Sequence, residues 1–282
     1  MPSDYQRCAE LIAQADGLLI TAGAGIGVDS GLPDFRGAQG FWGAYPALGR
    51  AHIAFEQIAN PAAFERQPRL AWGFYGHRLQ LYRRTVPQQG FAILRRIGES
   101  LAHGSFVFTS NVDGQFQKAG FPDERISECH GSIHHLQCSA GCSADRDSIW
   151  PADDFEPELD EERCLLTGDL PLCPRCRKIA RPNILMFGDW GWLGQRSDAQ
   201  DRRLQAWLRR VERLLIIEVG AGTNIPTVRL LGERLKGTLI RINPSEAQLP
   251  AEKSGTDGKA GHGLAIAAGG LEALRAIAAS LE

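Results

Sequence analysis

The sequence predicts an α/β fold in which a parallel sheet is covered by helices on both faces. Short apolar runs with strand character recur along the chain, and helical patterns lie between them, as at residues 90–101 and 202–211. Strands that alternate with helices are typical of a parallel sheet, because its crossover connections are helical. The predicted strands are residues 18–20, 106–109, 184–187, 214–219 and 239–242.

Small or polar residues follow the four later strands of this prediction. In open parallel sheets, ligands bind beyond the carboxyl ends of the strands. We therefore expect these polar clusters to converge on one site. They are Ser110-Asn111, Gly188-Asp189, Gly220-Ala221-Gly222 and Asn243-Pro244.

Length and composition are those of an ordinary globular protein. The chain has 282 residues, enough for a large domain and a smaller one, and it is 43% hydrophobic and 23% charged. The net charge of −2 and the scattered Lys and Arg residues argue against a nucleic-acid surface. No apolar run approaches the ~20 residues that span a bilayer, and the polar amino terminus lacks a signal-peptide core. We expect a cytoplasmic protein with no membrane or nucleic-acid partner.

A glycine-rich segment follows the first predicted strand and reads T-A-G-A-G-I-G-V-D-S-G-L-P-D-F-R-G over residues 21–37. Many nucleotide sites begin with a strand that opens into such a turn, because glycines let backbone N–H groups approach a diphosphate. Val28 stands where a strict G-x-G-x-x-G fingerprint has glycine, so a plain strand–helix turn is the alternative. The closing Asp34-Phe35-Arg36 favours a loop that closes over a ligand.

The cysteines indicate a metal site. Disulfides are disfavoured in a cytoplasmic chain, so paired cysteines suggest metal ligands instead. Cys138-x3-Cys142 and Cys173-x2-Cys176 predict a four-thiolate zinc site, which is structural because four thiolates leave no open position. A reduced set without metal is the alternative, and Cys164 could replace one ligand.

Three motifs in the same order resemble the sirtuin family, whose members consume NAD to remove acyl groups from lysine. The family pattern G-A-G-x-S-x-x-S-G-I-P-D-F-R is matched from Gly23 to Arg36, apart from Gly27 and Leu32. The segment E-C-H-G-S at residues 128–132 is the third motif, and the resemblance covers most of the chain. The second motif, T-Q-N-I-D-x-L-H-x-x-A-G, is matched at Thr109, Asn111, Asp113, Ala119 and Gly120.

The resemblance implies a site for NAD as co-substrate, and no hydride transfer. His130 stands in the catalytic position, where a histidine near neutral pKa can take a proton from a ribose hydroxyl. The implied catalytic residues are His130, Asn111, Asp113 and Arg36. The implied NAD contacts are Gly23, Ala24, Gly25, Asp34, Phe35, Arg36, Ser110, Asn111, Asp113, His130, Gly220, Ala221, Gly222 and Asn243.

Tyr75 and Arg78, within W-G-F-Y-G-H-R, are the implied substrate-binding residues. They look like the Tyr-x-x-Arg pair of sirtuins that accept succinyl- and malonyl-lysine. On a helix this spacing puts both side chains on one face, and a guanidinium with a phenol can bind a carboxylate. An amphipathic helix in which the two merely share a face is the alternative.

The expected architecture has three parts. A Rossmann-like NAD-binding domain comprises residues 1–37, 86–131 and 183–282, with a helical insertion at 38–85 and a zinc-binding module at 132–182. The acidic stretch within the last part is expected to be a solvated loop.

The implied function is NAD-dependent protein-lysine deacylation of a protein or peptide, releasing nicotinamide and O-acyl-ADP-ribose. Ser110 replaces a family glutamine, and the family's peptide-docking F-G-E appears as Phe187-Gly188-Asp189. These departures keep a second function open, namely mono-ADP-ribosyl transfer or NAD hydrolysis in the same pocket. A non-catalytic NAD-binding or zinc-stapled interaction module is the third possibility.

Overall fold

The computed structural model describes residues 3–33, 37–142, 148–254 and 263–281. Their strands form a six-stranded, a three-stranded and a two-stranded sheet. The strands are β1 (Gly17–Ala22), β2 (Ser105–Thr109), β3 (Ile126–Glu128), β4 (Gly131–Cys138), β5 (Ile149–Pro151), β6 (Leu159–Asp160), β7 (Leu165–Leu166), β8 (Ala180–Ile184), β9 (Leu214–Val219), β10 (Thr238–Ile242) and β11 (Gly263–Ile266). The α-helices are α1 (Asp4–Gln14), α2 (Gly37–Ala44), α3 (Pro46–Arg50), α4 (Phe55–Ile58), α5 (Pro61–Arg66), α6 (Pro68–Arg84), α7 (Gln89–Glu99), α8 (Gln115–Lys118), α9 (Gln195–Leu208), α10 (Thr227–Arg234), α11 (Ala251–Ser254) and α12 (Gly270–Ala279).

The large sheet confirms the predicted parallel α/β fold. Its order is β11-β10-β9-β1-β2-β3, and each neighbouring pair is parallel. The chain moves from β1 to β3 in one direction and from β9 to β11 in the other, so the strand order reverses between β1 and β9. Ligand crevices form at such a reversal, beyond the carboxyl ends of the strands.

Helices bury both faces of this sheet. On one face, Phe91 and Leu94 of α7 belong to the apolar cluster that contains the β1 side chains. On the other face, Leu204 and Trp207 of α9 pack with Phe106 of β2. β1 and β9 are buried along their whole lengths, which is why their sequences are apolar apart from Thr21 and Glu218. In the part of the chain that the structure describes, no helix has the length and apolar character needed to cross a membrane.

The small three-stranded sheet is antiparallel, with β4 between β5 and β8. A separate apolar cluster joins it to the helices between β1 and β2, which confirms the prediction that this stretch is helical. Trp72 lies at the centre of that cluster, where its indole N–H donates to the Ala180 carbonyl at 2.9 Å. The small sheet and α6 therefore form one packed unit beside the crevice.

Helix α6 uses one face to contact residues 152–168, which we name the acidic arm. Gly73 and Gly76 permit the contact, because a Cβ on Gly73 would lie 1.9 Å from the Cys164 carbonyl oxygen. A Cβ on Gly76 would lie 2.9 Å from Pro157. Three longer side chains of α6 donate to arm carbonyls at 2.8, 2.8 and 2.7 Å: Arg69 to Leu166, Arg83 to Phe155, and Gln80 to Pro157.

The prediction that the acidic stretch is a solvated loop is therefore only partly correct. Acidic side chains of the arm such as Glu156 and Glu161 are exposed, but its backbone packs on α6 and contains β6 and β7. The arginines that bind its carbonyls lie far away in the sequence, and no local pattern reveals them.

The strand predicted at residues 184–187 is wrong. β8 ends at Ile184 and pairs with β4 in the small sheet, and Leu185 and Phe187 are partly exposed at the crevice instead. An apolar run without periodicity does not distinguish a strand from a surface that lines a pocket. The sequence prediction also missed β3 and β11, which have three and four residues.

We predict that Gly73→Ala lowers the free energy of unfolding. The new methyl group would overlap the Cys164 carbonyl, and overpacking of this kind costs about 1–3 kcal/mol, more than the helix propensity gained. The measurement is the midpoint of urea-induced unfolding.

Gly43→Ala in α2 is the matched control, because a Cβ there has no atom within 4 Å among those compared. It should leave the midpoint unchanged or raise it slightly. Equal effects of the two substitutions would contradict the close contact between α6 and the arm.

Candidate active site

A cavity of about 1060 Å³ lies between the carboxyl ends of β1, β2 and β9 and the unit formed by α6 and the small sheet. The structure brings most of the predicted site residues together on its wall. They are Gly23, Ala24, Gly25, Tyr75, Arg78, Ser110, Asn111, Asp113, His130, Gly220, Ala221 and Gly222.

The glycine-rich loop forms a short 3₁₀ helix at Ala24–Ser30, directly after β1. Its first glycines pack backbone to backbone against the loop after β9. A Cβ on Gly25 would lie 2.7 Å from the Gly220 Cα, and the Gly25 N–H donates to the Gly220 carbonyl at 3.0 Å. The Gly23 N–H donates to the Val219 carbonyl at 3.1 Å. These two glycines are thus required by the contact between the loops, whereas the sequence suggested access for a diphosphate.

Three predicted residues, Asp34, Phe35 and Arg36, lie outside the described residues. Asn243 is described, and it lies behind the cavity wall. Its side-chain amide donates to the Ala221 carbonyl at 3.0 Å and accepts from the N–H groups of Ser245 and Glu246 at 3.1 and 2.9 Å. Asn243 therefore joins the loops after β9 and β10, and Ser245 and Glu246 line the cavity.

Asn111 and Asp113 follow β2, and both line the cavity. The Asn111 side-chain N–H donates to the Gly23 carbonyl at 3.1 Å, which fixes this amide beside the loop. Asp113 is buried, and its carboxylate accepts from the Gln115 N–H at 2.9 Å. Burial raises the pKa of the Asp113 carboxyl to about 6, because desolvation outweighs this hydrogen bond.

His130 lies in the tight turn between β3 and β4. The turn requires glycine at the next position, since Gly131 has φ +80° and a Cβ there would lie 2.1 Å from the Asn183 carbonyl oxygen. The His130 carbonyl accepts from the Leu185 N–H at 2.9 Å, which holds the turn against β8. Burial lowers the pKa of His130 below its ordinary value of 6.5, so the imidazole is neutral at physiological pH and can accept a proton.

His134 has a different place from His130. One ring nitrogen is 3.0 Å from the Asp113 carbonyl oxygen, and the ring packs against Gly114, which has φ +69°. His134 therefore holds the loop that carries Asp113, which is a structural role.

Tyr75 and Arg78 lie on the face of α6 opposite to Gly73 and Gly76, and both are buried in the cavity wall. The offset of two residues turns them about 200° from the glycines on a helix of 3.6 residues per turn. The Arg78 guanidinium carbon is 5.3 and 5.7 Å from the ring centroids of Phe74 and Tyr75. One helix therefore provides both the glycine face and the face that lines the cavity.

Sequence reasoning missed several polar residues of the wall, among them Tyr82, Thr223 and Glu246. Tyr82 follows Arg78 by one turn of α6, a spacing that could have revealed it. Thr223 and Glu246 meet from the loops after β9 and β10, where the Thr223 hydroxyl donates to the Glu246 carboxylate at 2.5 Å. Their pairing is invisible in the sequence because it depends on the order of the strands.

The four cysteines predicted to bind zinc converge. Their sulfur atoms all lie within 4.8 Å of one another, and two pairs, Cys138–Cys176 and Cys142–Cys173, are 3.6 Å apart. Four sulfurs at about 2.3 Å from one tetrahedral zinc lie about 3.8 Å apart, so the cluster fits the ion. All seven cysteines of the chain are free of disulfides, and Cys164 packs on Gly73 instead of joining the cluster.

Relatives of known name cover most of this chain. The protein is 30% identical over 265 residues to "NAD-dependent protein deacylase 1" of Archaeoglobus fulgidus, covering 91% of this chain and 93% of that one. It is 31% identical over 240 residues to "NAD-dependent protein deacylase 1" of Pseudomonas aeruginosa, covering 83% and 86%. An "NAD-dependent protein deacylase" of Pyrococcus furiosus is 32% identical over 181 residues, and the match spans 64% of each chain, under two thirds of that relative.

Solved structures show the same fold. A Sir2 homolog–NAD complex superimposes with a TM-score of 0.67 at 22% identity, covering 98% of this chain and 95% of that one. A structure described as the structural basis of sirtuin substrate affinity gives a TM-score of 0.66 at 23% identity, covering 95% of each. The family described as "Sir2 family" matches residues 23–217, which is well over half of the chain. The chain therefore belongs to the Sir2 family, the sirtuins that its three motifs resemble.

Proposed function

We propose that the protein is an NAD-dependent protein-lysine deacylase that accepts acidic acyl groups, such as succinyl and malonyl, at least as well as acetyl. The observation that carries the proposal is that one cavity contains both Asn111, Asp113 and His130 and, on α6, Tyr75 and Arg78. The deacylase activity is supported by the membership of this chain in the Sir2 family and by its relatives that are named NAD-dependent protein deacylase. The acyl preference rests on Arg78.

The residues of the cavity wall are assigned different roles along its length. NAD supplies the nicotinamide that leaves and the ribose carbon that receives the acyl oxygen. The loops at Gly23–Gly25 and Gly220–Gly222 form the diphosphate end, where close backbone contact leaves no side chain in the way. Asn111 and Asp113 hold the nicotinamide end, as the family resemblance implies.

His130 is the general base of the proposed reaction. A neutral imidazole accepts the proton of a ribose hydroxyl, and the oxygen then attacks the carbon of the captured acyl amide. Nicotinamide leaves in the first step, one water then adds to the acyl carbon, and the lysine amine and O-acyl-ADP-ribose are released. Arg36 is assigned to the closing loop by the resemblance alone.

Arg78 and Tyr75 form the proposed acyl end. A guanidinium fork binds a carboxylate with two parallel hydrogen bonds, and a nearby phenol can add a third. Burial raises the pKa of Tyr75 to about 12, so its hydroxyl stays protonated and able to donate. Acetyl has no carboxylate and gains nothing from either group.

Mono-ADP-ribosyl transfer or NAD hydrolysis is the second candidate. The peptide-docking segment after β8 departs from the family pattern, since F-G-E appears here as Phe187-Gly188-Asp189. The segment forms turns, and the Trp190 side chain on it is fully exposed. Ser110 in the cavity wall also departs from that pattern. Both candidates use the same NAD end, and they differ in whether nicotinamide release needs an acyl-lysine peptide.

We predict that Arg78→Met lowers kcat/KM for succinyl- and malonyl-lysine peptides by about 10-fold or more, while acetyl-lysine changes little. The measurement is a panel of acetyl, malonyl, succinyl and longer acyl groups on one peptide, with nicotinamide release followed with and without peptide. Arg84→Met, an exposed arginine of the same helix, is the control.

Equal loss on all acyl groups would refute carboxylate binding by Arg78. Nicotinamide release that proceeds at the same rate without peptide would refute deacylation and favour the second candidate. A trace rate that His130→Ala leaves unchanged would favour a non-catalytic module.

We predict that kcat/KM stays level from about pH 8 to pH 7 and falls only below the ordinary histidine pKa of 6.5. Protonated His130 cannot accept a proton, and burial lowers its pKa, so the loss occurs at lower pH. Asp113, with a pKa of about 6, titrates in the same window, and Asp113→Asn separates the two groups because the His130 limb remains. An acid limb centred at or above about pH 7 contradicts a neutral buried base.

We predict one zinc ion per chain, and loss of stability when it is removed. Without metal the four sulfurs lose the ion that joins the end of β4 to the segment of Cys173 and Cys176. Metal analysis gives the stoichiometry, and thermal melting with and without a zinc chelator gives the effect.

Cys142→Ser should lower both zinc content and melting temperature, whereas Cys8→Ser, in α1 far along the chain from the cluster, should keep zinc bound. Full metal content in Cys142→Ser would contradict the four-thiolate site.

A further inference from the structure

Tyr82 lies one helical turn after Arg78, outside the Tyr-x-x-Arg pair that the sequence points to. Its side chain is buried, with 4% exposed, and it lines the cavity beside Arg78 and Asp113. Residues three, four and seven apart share one helix face, so Tyr75, Arg78 and Tyr82 form a continuous row. The acyl end of the cavity thus has two phenols, one on each side of the guanidinium.

Tyr82 contacts the guanidinium more closely than Tyr75 does. The Nε and Nη2 atoms of Arg78 donate to the Tyr82 hydroxyl oxygen at 3.0 and 2.8 Å. The Arg78 guanidinium carbon is also 5.4 Å from the Tyr82 ring centroid. Two donors of a rigid planar fork held by one oxygen fix both the position and the plane of the group.

The chemistry of this partner matters for binding an anion. A phenol accepts the hydrogen bonds of the guanidinium and, unlike a carboxylate, adds no negative charge beside it. Burial raises the pKa of Tyr82 above its ordinary value, so the phenol remains neutral. Its own hydrogen stays available for donation to an acceptor in the cavity.

The backbone of Tyr82 is anchored from the other side of the cavity. Its carbonyl oxygen accepts from the Gln115 side-chain N–H at 3.1 Å and from the Lys118 ammonium at 3.4 Å. Both donors lie on α8, directly after the loop that carries Asp113. Tyr82 therefore sets the distance between the acyl end and the nicotinamide end of the site.

We infer that Tyr82 is a positioning residue that fixes the Arg78 guanidinium for the carboxylate of an acidic acyl group, and that it determines acyl specificity through Arg78. This inference rests on the proposed function. Loss of the Tyr82 hydroxyl removes the two hydrogen bonds that orient the Arg78 guanidinium, so acidic acyl groups should lose affinity and acetyl should not.

The test is a double-mutant cycle on four proteins: wild type, Tyr82→Phe, Arg78→Met and the double variant. Tyr82→Phe keeps the ring and removes only the hydroxyl, and thermal melting checks that each variant is folded. Kinetics are measured with succinyl- and acetyl-lysine on the same peptide, at saturating NAD. KM and kcat are determined separately, because a positioning role changes KM for succinyl more than kcat.

Tyr82→Phe should lower kcat/KM for succinyl-lysine by about 10-fold, mainly through KM, and change acetyl-lysine less than about twofold. In the Arg78→Met background, Tyr82→Phe should have no further effect on succinyl. Equal loss on both acyl groups would overturn the inference, as would the same succinyl loss with and without Arg78.

The same cycle separates this inference from the proposed function. If Arg78→Met removes the succinyl preference and Tyr82→Phe does not, only the role of Tyr82 fails. If Arg78→Met leaves the ratio of succinyl to acetyl unchanged, acidic acyl binding itself fails and the inference falls with it.

Discussion

The backbone contact between the loops after β1 and β9 is the constraint on which the site depends. Gly25 and Gly220 approach so closely that a Cβ on either would overlap the other's backbone. Because the strand order reverses between β1 and β9, these two loops define the crevice of the sheet. Asn111 follows the neighbouring strand β2, and its side chain donates to the Gly23 carbonyl. A side chain at this contact would separate the loops and displace each group of the NAD end.

Helix α6 provides a second constraint, since its two faces serve different partners. Gly73 and Gly76 receive the acidic arm, and Tyr75 and Arg78 face the cavity. The arm and the cysteine cluster belong to the same part of the chain, and β4, which ends at Cys138, begins next to His130. Residues 132–182 thus support the helix that bears Tyr75 and Arg78 and the turn that bears His130.

The sequence predicts local features well and distant contacts poorly. Buried parallel strands such as β1 and β9 have mostly apolar sequences, and motif residues such as Asn111 converge because strand ends share one edge of the sheet. The contact of Gly23 and Gly25 with the loop after β9 cannot be read from the sequence, since that loop lies almost 200 residues away. The run at 184–187 was assigned to the sheet because composition alone cannot tell a buried strand from the rim of a pocket.

Three buried arginines differ in the partners that hold them. Arg241 pairs with Glu218 across neighbouring strands at 2.5 Å, and Arg181 binds Asp189 at 2.7 and 2.8 Å. Breaking such pairs leaves a buried charge uncompensated, which costs about 3–5 kcal/mol, so both are fixed parts of the fold. Arg78 donates to the phenol of Tyr82 and lies among aromatic rings.

Tyr82 fixes the plane of the Arg78 guanidinium and adds no negative charge of its own. In the proposed function, the carboxylate of an acidic acyl group binds this oriented guanidinium as Glu218 binds Arg241. The proposed acyl selectivity therefore depends on the same attraction between a guanidinium and a carboxylate that makes the other two arginines structural.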